Sequence, residues 1–352
     1  MTSKKWMIYG ANGYTGELIA REARKRGLSP VLAGRSEAKL GPLGEELDLQ
    51  VRSFPLDQPN EVLAALQDIT LVLHCAGPFS ATAEPMIDAC LAGATHYLDI
   101  TGELAVFEAA RSRHKAALDA GIVIIPGVGF DVIPTDCLAA RLKQALPDAS
   151  HLALGFDSKS RLSPGTAKSS IEGLANGGSA RIDGQIQPVP LAWHTRPIDF
   201  GDGEKLAMTI PWGDVSTAHF TTGIDNIEVF VPASPGMVKQ VRRLNWIRPL
   251  LGLGWVQNLM KRKVDKTVRG PDQKQRADIP TYVWGEVRNA ADETRTARVR
   301  TANGYALTVT GSLEVVNFLL GRQVEGGYYT PSKLMDPGLV ERLPGSSTIV
   351  ID

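Results

Sequence analysis

Cysteine is scarce in this chain. The three residues, Cys75, Cys90 and Cys137, are too few and too scattered for a disulfide framework. No Cys-x-x-Cys or Cys/His cluster occurs and the six histidines have no ligand spacing, so no metal is expected. Net charge is missing as well. The 38 basic residues balance 38 acidic ones, which leaves nothing to draw the chain to a polyanion and makes nucleic acid an unexpected partner. No uninterrupted apolar run reaches the roughly 18 residues of a membrane span, and the opening MTSKKWMIYG lacks the pattern of a signal peptide. These absences point to a soluble, cytoplasmic protein, and 352 residues suffice for two domains with substantial cores.

What is present is a regular alternation. The short apolar runs WMIY (6–9), PVLA (30–33), VRSF (51–54), TLVLH (70–74), HYLD (96–99) and IVIIP (122–126) are separated by helical stretches such as Gly16 to Arg26 and Ala105 to Ala120. Runs this apolar, taking turns with helices, predict a parallel sheet covered on both faces, a doubly wound α/β domain of about six strands. Ligands of such domains bind at the carboxyl ends of the strands, so chemistry is expected in the loops that follow each run.

The first of these loops, GANGYTG, places Gly10, Gly13 and Gly16 between a strand and a helix, with Asn12, Tyr14 and Thr15 among them. Bare backbone and the positive end of a helix dipole suit the pyrophosphate of a dinucleotide, although the spacing departs from the standard G-x-G-x-x-G. After the second run an NAD-binding protein would place an acid for the ribose 2′-hydroxyl. Here Arg35 and Ser36 stand instead, a guanidinium fork and a hydroxyl that suit a 2′-phosphate, so the expected cofactor is NADP(H). Asp57 follows the third run and is expected near the adenine. Gly77 and Pro78, in CAGPFS, would let the chain pass the nicotinamide ribose, while Phe79 either supports the ring or belongs to the core. Asp99, Thr101, Gly102 and Glu103 follow the fifth run at the reaction end, where the alternative for one or more of them is only to cap the helix beginning near Ala105.

GANGYTGELIA, LAGRS, CAGPFS, DACLAGATHYLDITGE and PGVGFDVIPTDCLAARL resemble the saccharopine dehydrogenase-like oxidoreductases, in particular their trans-acting enoyl reductase-like branch. SPGTAKSSIEGLANGGSARIDGQI (163–186) and IPWGDVSTAHFTTGIDNIEVF (210–230) extend the likeness over most of the chain. The resemblance implies a Rossmann domain that binds NADP(H) and a second α+β domain that closes over the nicotinamide. It also implies that Ser169, Ser170, Trp212 and Asp214 line a substrate pocket.

The second half carries its own signals. TYVWGEVR (281–288) and TARVRT (296–301) have strand character, and Asn303-Gly304 before YALTVT (305–310) predicts a hairpin, so an antiparallel sheet is expected. A linking helix from about Pro134 to Ala145 leaves the first domain, and the tail TPSKLMDPGLVERLPG (330–345) resembles a terminal helix that returns to it. The expected domains are therefore 1–133 with about 328–352, and 134–327.

Two catalytic motifs are weighed and set aside. Tyr329 and Lys333 match a Tyr-x-x-x-Lys pair, but Pro331 lies between them, and Cys137 falls in a helical apolar pattern without a nearby base. The expected reaction is hydride transfer to a polarised C=C or C=N of a small-molecule or acyl substrate, with Glu103 and Asp131 as candidate proton donors because both follow strand ends. Two alternatives stay open. One is a saccharopine-type imine reductase, which would need Arg161, Lys168, Arg181 and Arg196 to converge on several carboxylates; the other is a cofactor-binding module without turnover at a lipid surface.

Residues 237–266 stand apart from the neutral whole. Lys239, Arg242, Arg243, Arg248, Lys261, Arg262, Lys263 and Lys266 face only Asp265, an excess of seven positive charges. Trp246, Leu250, Leu251, Leu253, Trp255, Leu259 and Met260 add apolar surface, and Pro249, Gly252 and Gly254 predict two short helices with a bend. A packed helix pair or homodimer contact, and a lid or peripheral membrane element, both fit this pattern.

Overall fold

The computed structural model of the chain describes residues 4–352, apart from the side chains of Leu174 and Asp265; residues 1–3 of the opening segment lie outside the described residues. The first half runs β1 (Trp6–Tyr9), α1 (Tyr14–Lys25), β2 (Val31–Gly34), α2 (Glu37–Leu47), β3 (Val51–Ser53), α3 (Pro59–Leu66), β4 (Leu71–His74), α4 (Phe79–Ala92), β5 (His96–Asp99), α5 (Leu104–Ser112), α6 (His114–Ala120) and β6 (Val123–Ile125). It continues through α7 (Ile133–Ala145), β7 (His151–Ser158), α8 (Pro164–Asn176), β8 (Gly178–Ile182), β9 (Gln185–Val189), β10 (Thr195–Asp199), β11 (Glu204–Thr209), α9 (Asp214–Thr222) and β12 (Asn226–Pro232). The remainder comprises α10 (Pro235–Leu251), α11 (Gly254–Thr267), α12 (Gln273–Asp278), β13 (Thr281–Arg288), β14 (Thr294–Thr301), α13 (Gly304–Gly321), β15 (Gly327–Tyr328), α14 (Pro331–Leu334), α15 (Leu339–Arg342) and β16 (Val350–Ile351).

Two compact units result, Met1–Asp131 with Leu307–Met335, and Val132–Ala306 with Asp336–Asp352. The first is built on a parallel sheet in the order β15-β6-β5-β4-β1-β2-β3. Every residue of β1, β2 and β4 is buried, as a sheet covered on both faces requires. Each Ile, Leu or Val interred there contributes about 1.5–3 kcal/mol relative to exposure. The short β15 adds an edge strand beyond the six read from the apolar runs, and the expected helix at 105–120 is broken at Arg113 into α5 and α6.

The second unit carries a mixed sheet in the order β10-β11-β12-β7-β13-β14-β16, with β8 and β9 attached through β12. Most neighbours are antiparallel, whereas β7 and β12 run parallel. α7 packs on this sheet closely enough that a Cβ on Gly285 would stand 2.8 Å from Leu142 and 3.2 Å from Leu138.

Two expectations are corrected. YALTVT is not a strand after a hairpin but the opening of α13. The apolar run continues through Leu313, Val315, Val316 and Leu319, all buried, and a run of that length is helical rather than extended. Asn303 turns the chain by accepting the Tyr305 N–H at 3.1 Å, the use of Asn at a helix start rather than in a type I′ turn. The tail is not one helix returning to the first unit either. Pro331 and Pro337 divide it into α14 and α15, and β16 ends the chain on β14 in the second sheet.

Candidate cofactor site

In the first sheet the chain order reverses between β1 and β4, the switch point at which open α/β sheets bind ligands. The loops after these strands meet closely. The Cys75 N–H donates to the Tyr9 carbonyl at 2.7 Å, and a Cβ on Gly10 would fall 2.7 Å from the Ala76 nitrogen. With φ at +85°, Gly10 must be glycine on two counts. Gly16 is equally constrained, because a Cβ there would run into the Gly10 carbonyl oxygen.

Gly13 differs from both. Its φ of −83° and ψ of 163° are open to any residue, while a Cβ would meet the Gly10 carbonyl oxygen at 3.2 Å, so that the turn would have to give by a few tenths of an ångström. The backbone angles do not demand glycine there, and a bare Cα is what close approach by a ligand would need. As the N-cap of α1, Gly13 gives no side-chain hydrogen bond to the first-turn N–H groups, and helix starts of this kind bind anions.

The loops after β2 and β3 lie beside this turn. Asn12 is exposed and rests its Oδ1 against Gly34, where a Cβ would be 3.0 Å away. Arg35 is exposed and holds no hydrogen bond or ion pair among the described residues. Ser36 is the N-cap of α2, yet its hydroxyl makes no capping bond. A guanidinium and a hydroxyl, both uncommitted among the described residues and beside a helix start, are groups that could hold a phosphate. Asp57 is exposed nearby, and both it and Arg35 act on the buried Tyr9. Burial pushes the Tyr9 phenol up to about 12, with Arg35 pulling it down and Asp57 adding to the rise. The Tyr9 hydroxyl donates to the Phe54 carbonyl at 3.1 Å and so ties β1 to the end of β3.

At the β4 end, Gly77 is exposed, a cis peptide joins it to Pro78, and Phe79 is half-buried with its ring edge-on to His74 at 5.4 Å. His74 is fully buried and kept neutral, its pKa lowered by burial to about 3. Its Nε2 donates to Thr82 Oγ1 at 3.0 Å, because the Thr82 proton is given to the Ala76 carbonyl. The sequence contained a signal for this shelf, a histidine closing an apolar strand, but no pairing with Thr82 could be read from it.

Glu103 has a structural assignment. Both carboxylate oxygens accept backbone N–H groups at the start of α4, from Phe79 at 3.1 Å and Ser80 at 2.7 Å. Glu103 therefore caps α4 across the loop rather than α5, which it precedes, and this occupies the oxygens expected to handle a proton. Glu103→Ala should lower stability by about 1–2 kcal/mol in urea unfolding, with a smaller loss for Glu103→Gln, which keeps one acceptor oxygen. Equal stability of all three proteins would refute the capping role.

Thr101 is fully buried and its hydroxyl accepts the Glu103 N–H at 3.0 Å, so this side chain braces the loop. Asp99, also fully buried, accepts from Thr101 N–H at 2.9 Å, Gly127 N–H at 2.8 Å and the Tyr97 hydroxyl at 2.7 Å. It joins the β5 and β6 loops, and burial pushes its carboxyl up to about 6 against the pull of these donors. Asp131 ends the β6 loop. A Cβ on Gly102 would stand 2.8 Å from Asp131 Oδ2, so Gly102 is the opening that admits this carboxyl. Burial pushes the Asp131 carboxyl up to about 7. The Phe130 N–H donates to Thr308 Oγ1 at 3.0 Å and holds the backbone just before it.

In the second unit Ser169 is half-buried on α8, and Ser170 is exposed with its hydroxyl donating back to the Thr166 carbonyl at 2.9 Å. Trp212 packs on Phe156 with ring centroids 4.9 Å apart. Asp214 is fully buried in the first turn of α9, which removes it from a pocket lining.

Residues 6–125 match the model of the saccharopine dehydrogenase NADP binding domain. This part of the chain is similar to that family. The match gives NADP(H) as the cofactor. A mitochondrial saccharopine dehydrogenase-like oxidoreductase of Arabidopsis thaliana is 29% identical over 194 residues, which is 48% of this chain and 43% of that protein. The human saccharopine dehydrogenase-like oxidoreductase is 31% identical over 150 residues, 37% of this chain and 35% of its own length. A Mycobacterium tuberculosis protein named as a trans-acting enoyl reductase is 29% identical over 185 residues, 48% of this chain and 44% of that one. The chain thus spans less than half the length of these relatives. Saccharopine dehydrogenase (L-Glu forming) of Saccharomyces cerevisiae shares the fold, with a TM-score of 0.68 over 99% of this chain and 100% of that one, at 11% identity.

Proposed function

We propose that the chain is a cytoplasmic, NADP(H)-dependent oxidoreductase that reduces a polarised C=C or C=N of a small-molecule or acyl substrate. The observation that carries this reading is Gly13, a glycine whose backbone angles any residue could adopt, at the start of α1 and at the switch point of the sheet. NADPH supplies a hydride to the electron-poor carbon, and a proton must reach the other atom of the bond. The chain's own part is to hold the pyrophosphate on the backbone of 13–16, engage the 2′-phosphate with Arg35 and Ser36, and provide the proton. Asp131 suits the last task, because burial keeps a fraction of its carboxyl protonated near neutral pH.

Two cations that a polycarboxylate imine would need are committed elsewhere. Arg181 is buried and donates to the Val215 and Gly184 carbonyls. Arg196 makes a two-point pair with Glu286 and lies over the Trp284 ring. A less charged, acyl-type substrate is therefore favoured over an amino-acid imine.

The cofactor reading is tested at Arg35. A charge-assisted bond to the 2′-phosphate is worth roughly 1.5–3 kcal/mol, about ten- to more than a hundredfold in affinity. Arg35→Asp should weaken NADPH by that factor and spare NADH, as measured by fluorescence titration. Equal affinities for the two dinucleotides in the parent protein would overturn the role given to Arg35 and Ser36.

A further inference from the structure

The second unit presents a large apolar surface that none of this chemistry uses. Trp246 is 89% exposed, Trp255 69%, Leu259 63% and Leu250 57%, and Ile247 and Leu253 stand beside them. All belong to α10, α11 and the bend between them. Proteins seldom leave this many large apolar side chains exposed on one helix pair without a partner.

The two helices repeat one arrangement in opposite directions. Lys239, Arg243, Trp246 and Leu250 fall at i, i+4, i+7 and i+11, one face of α10, and all four are exposed. Trp255, Leu259, Arg262 and Lys266 have the same spacing on α11, and they too are exposed. Both faces thus place their apolar pair beside the bend at Gly252–Leu253 and their cationic pair farther away. At about 1.5 Å per residue, the eleven-residue span of each face measures roughly 16 Å. None of these four cations holds a hydrogen bond or an ion pair among the described residues.

Other faces of the helices fasten them down. Val238 is buried against Ala192, Met208 and Ala233. Arg242 donates to the Ala192 carbonyl at 3.0 Å, and Asn245 exchanges two hydrogen bonds with the Leu191 backbone. Lys261 pairs with Glu172 on α8 at 2.5 Å. The exposed faces are therefore the remainder after packing rather than helices awaiting a fold.

We propose that this face docks the protein on an anionic lipid bilayer, with the bend and its Trp and Leu residues entering the headgroup–acyl boundary and the four cations lying at the level of the phosphates. An apolar tip flanked by cations matches the depth profile of such a surface, where amphipathic helices sink about 5–10 Å and basic residues bind acidic headgroups. A second copy of the chain is a poorer occupant. A two-fold contact would set the four cations of this face, Lys239, Arg243, Arg262 and Lys266, against their own copies.

The test is co-sedimentation of the full chain with phosphatidylcholine vesicles, with and without phosphatidylglycerol, at low and high salt. Binding is expected on the anionic vesicles at low salt and should weaken as salt shortens the screening length. Replacing Lys239, Arg243, Arg262 and Lys266 together by Gln should lower partitioning on anionic vesicles by about a hundredfold or more, at roughly fivefold per charge. The pair Trp246→Ser and Trp255→Ser should lower it about tenfold or more while leaving the salt dependence in place. Circular dichroism and unchanged melting of the variants establish that these exposed changes leave the fold intact. Absence of binding to anionic vesicles at low salt overturns the proposal, and so does binding that neither set of substitutions weakens. A concentration-dependent dimer that the Trp variants dissociate, in a parent that ignores vesicles, would assign the face to a second copy instead.

Discussion

Gly13→Val should abolish measurable NADPH binding in a protein that remains folded. The side chain would stand where the backbone must meet the pyrophosphate, and displacement of that group costs at least two charge-assisted backbone hydrogen bonds, roughly a hundredfold or more in affinity. The fold should tolerate the change. φ and ψ at Gly13 lie in the extended region that valine prefers, and the one close contact, at 3.2 Å, is to a carbonyl oxygen in a turn. The expected loss of stability is about 1 kcal/mol, chiefly because valine is a poor N-cap.

The flanking glycines supply the contrast. Gly10→Val forces a left-handed φ on a β-branched residue and drives its Cβ into Ala76, and Gly16→Val drives one into the Gly10 carbonyl. Both should lose several kcal/mol, or fail to fold, with or without cofactor. Melting with and without saturating NADPH separates the cases. At a ligand concentration of about 100 Kd the parent gains roughly 2.7 kcal/mol, a rise of several degrees. A Gly13→Val protein that shows the same rise would mean that the turn does not carry the pyrophosphate.

This separation of the three glycines could not be read from the sequence, where they form one motif. What distinguishes them is the sign of φ and the distance to the next loop, which depend on how β1 lies beside β4. The strands themselves were legible because each is an apolar run bounded by polar loops, a pattern set by burial on both faces. YALTVT was misread for a related reason. Val and Thr favour strands as isolated residues, but the length of the buried run decides, and it becomes apparent only when the residues after 310 are read with those before. The expected capping by Glu103 was right in kind and wrong in address, since its partner helix begins 24 residues earlier in the chain. Contacts of that separation follow from topology rather than from local pattern. Arg35 and Ser36 could be singled out because that expectation depends only on residue type at the end of one strand, whereas the elevated pKa of Asp131 depends on how the β5 and β6 loops close around it.

Asp131→Asn should make the protein more stable at pH 8 and, if the carboxyl is the proton donor, far less active. Burial raises the Asp131 pKa to about 7, above the value near 3.9 of an unfolded aspartate. A group raised in this way binds its proton more tightly in the folded state. Its contribution to stability is therefore fullest below about pH 4 and is lost as pH climbs through about 7. Three pKa units set an upper limit of about 4 kcal/mol, and partial access to solvent reduces the expected cost at pH 8 to roughly 1–3 kcal/mol. Asparagine keeps the shape and never ionises, so the variant should lack this slope: similar to the parent at pH 4, more stable at pH 8. Urea unfolding of both proteins from pH 4 to 8 measures the difference without a substrate, and superimposable curves would show that the carboxyl titrates as an ordinary aspartate. On any substrate the enzyme reduces, the parent rate should fall as pH rises through about 7, and the variant should lose about 10²–10⁴-fold with NADPH affinity unchanged. A full rate in Asp131→Asn would move the proton transfer to another group, whatever its stability profile.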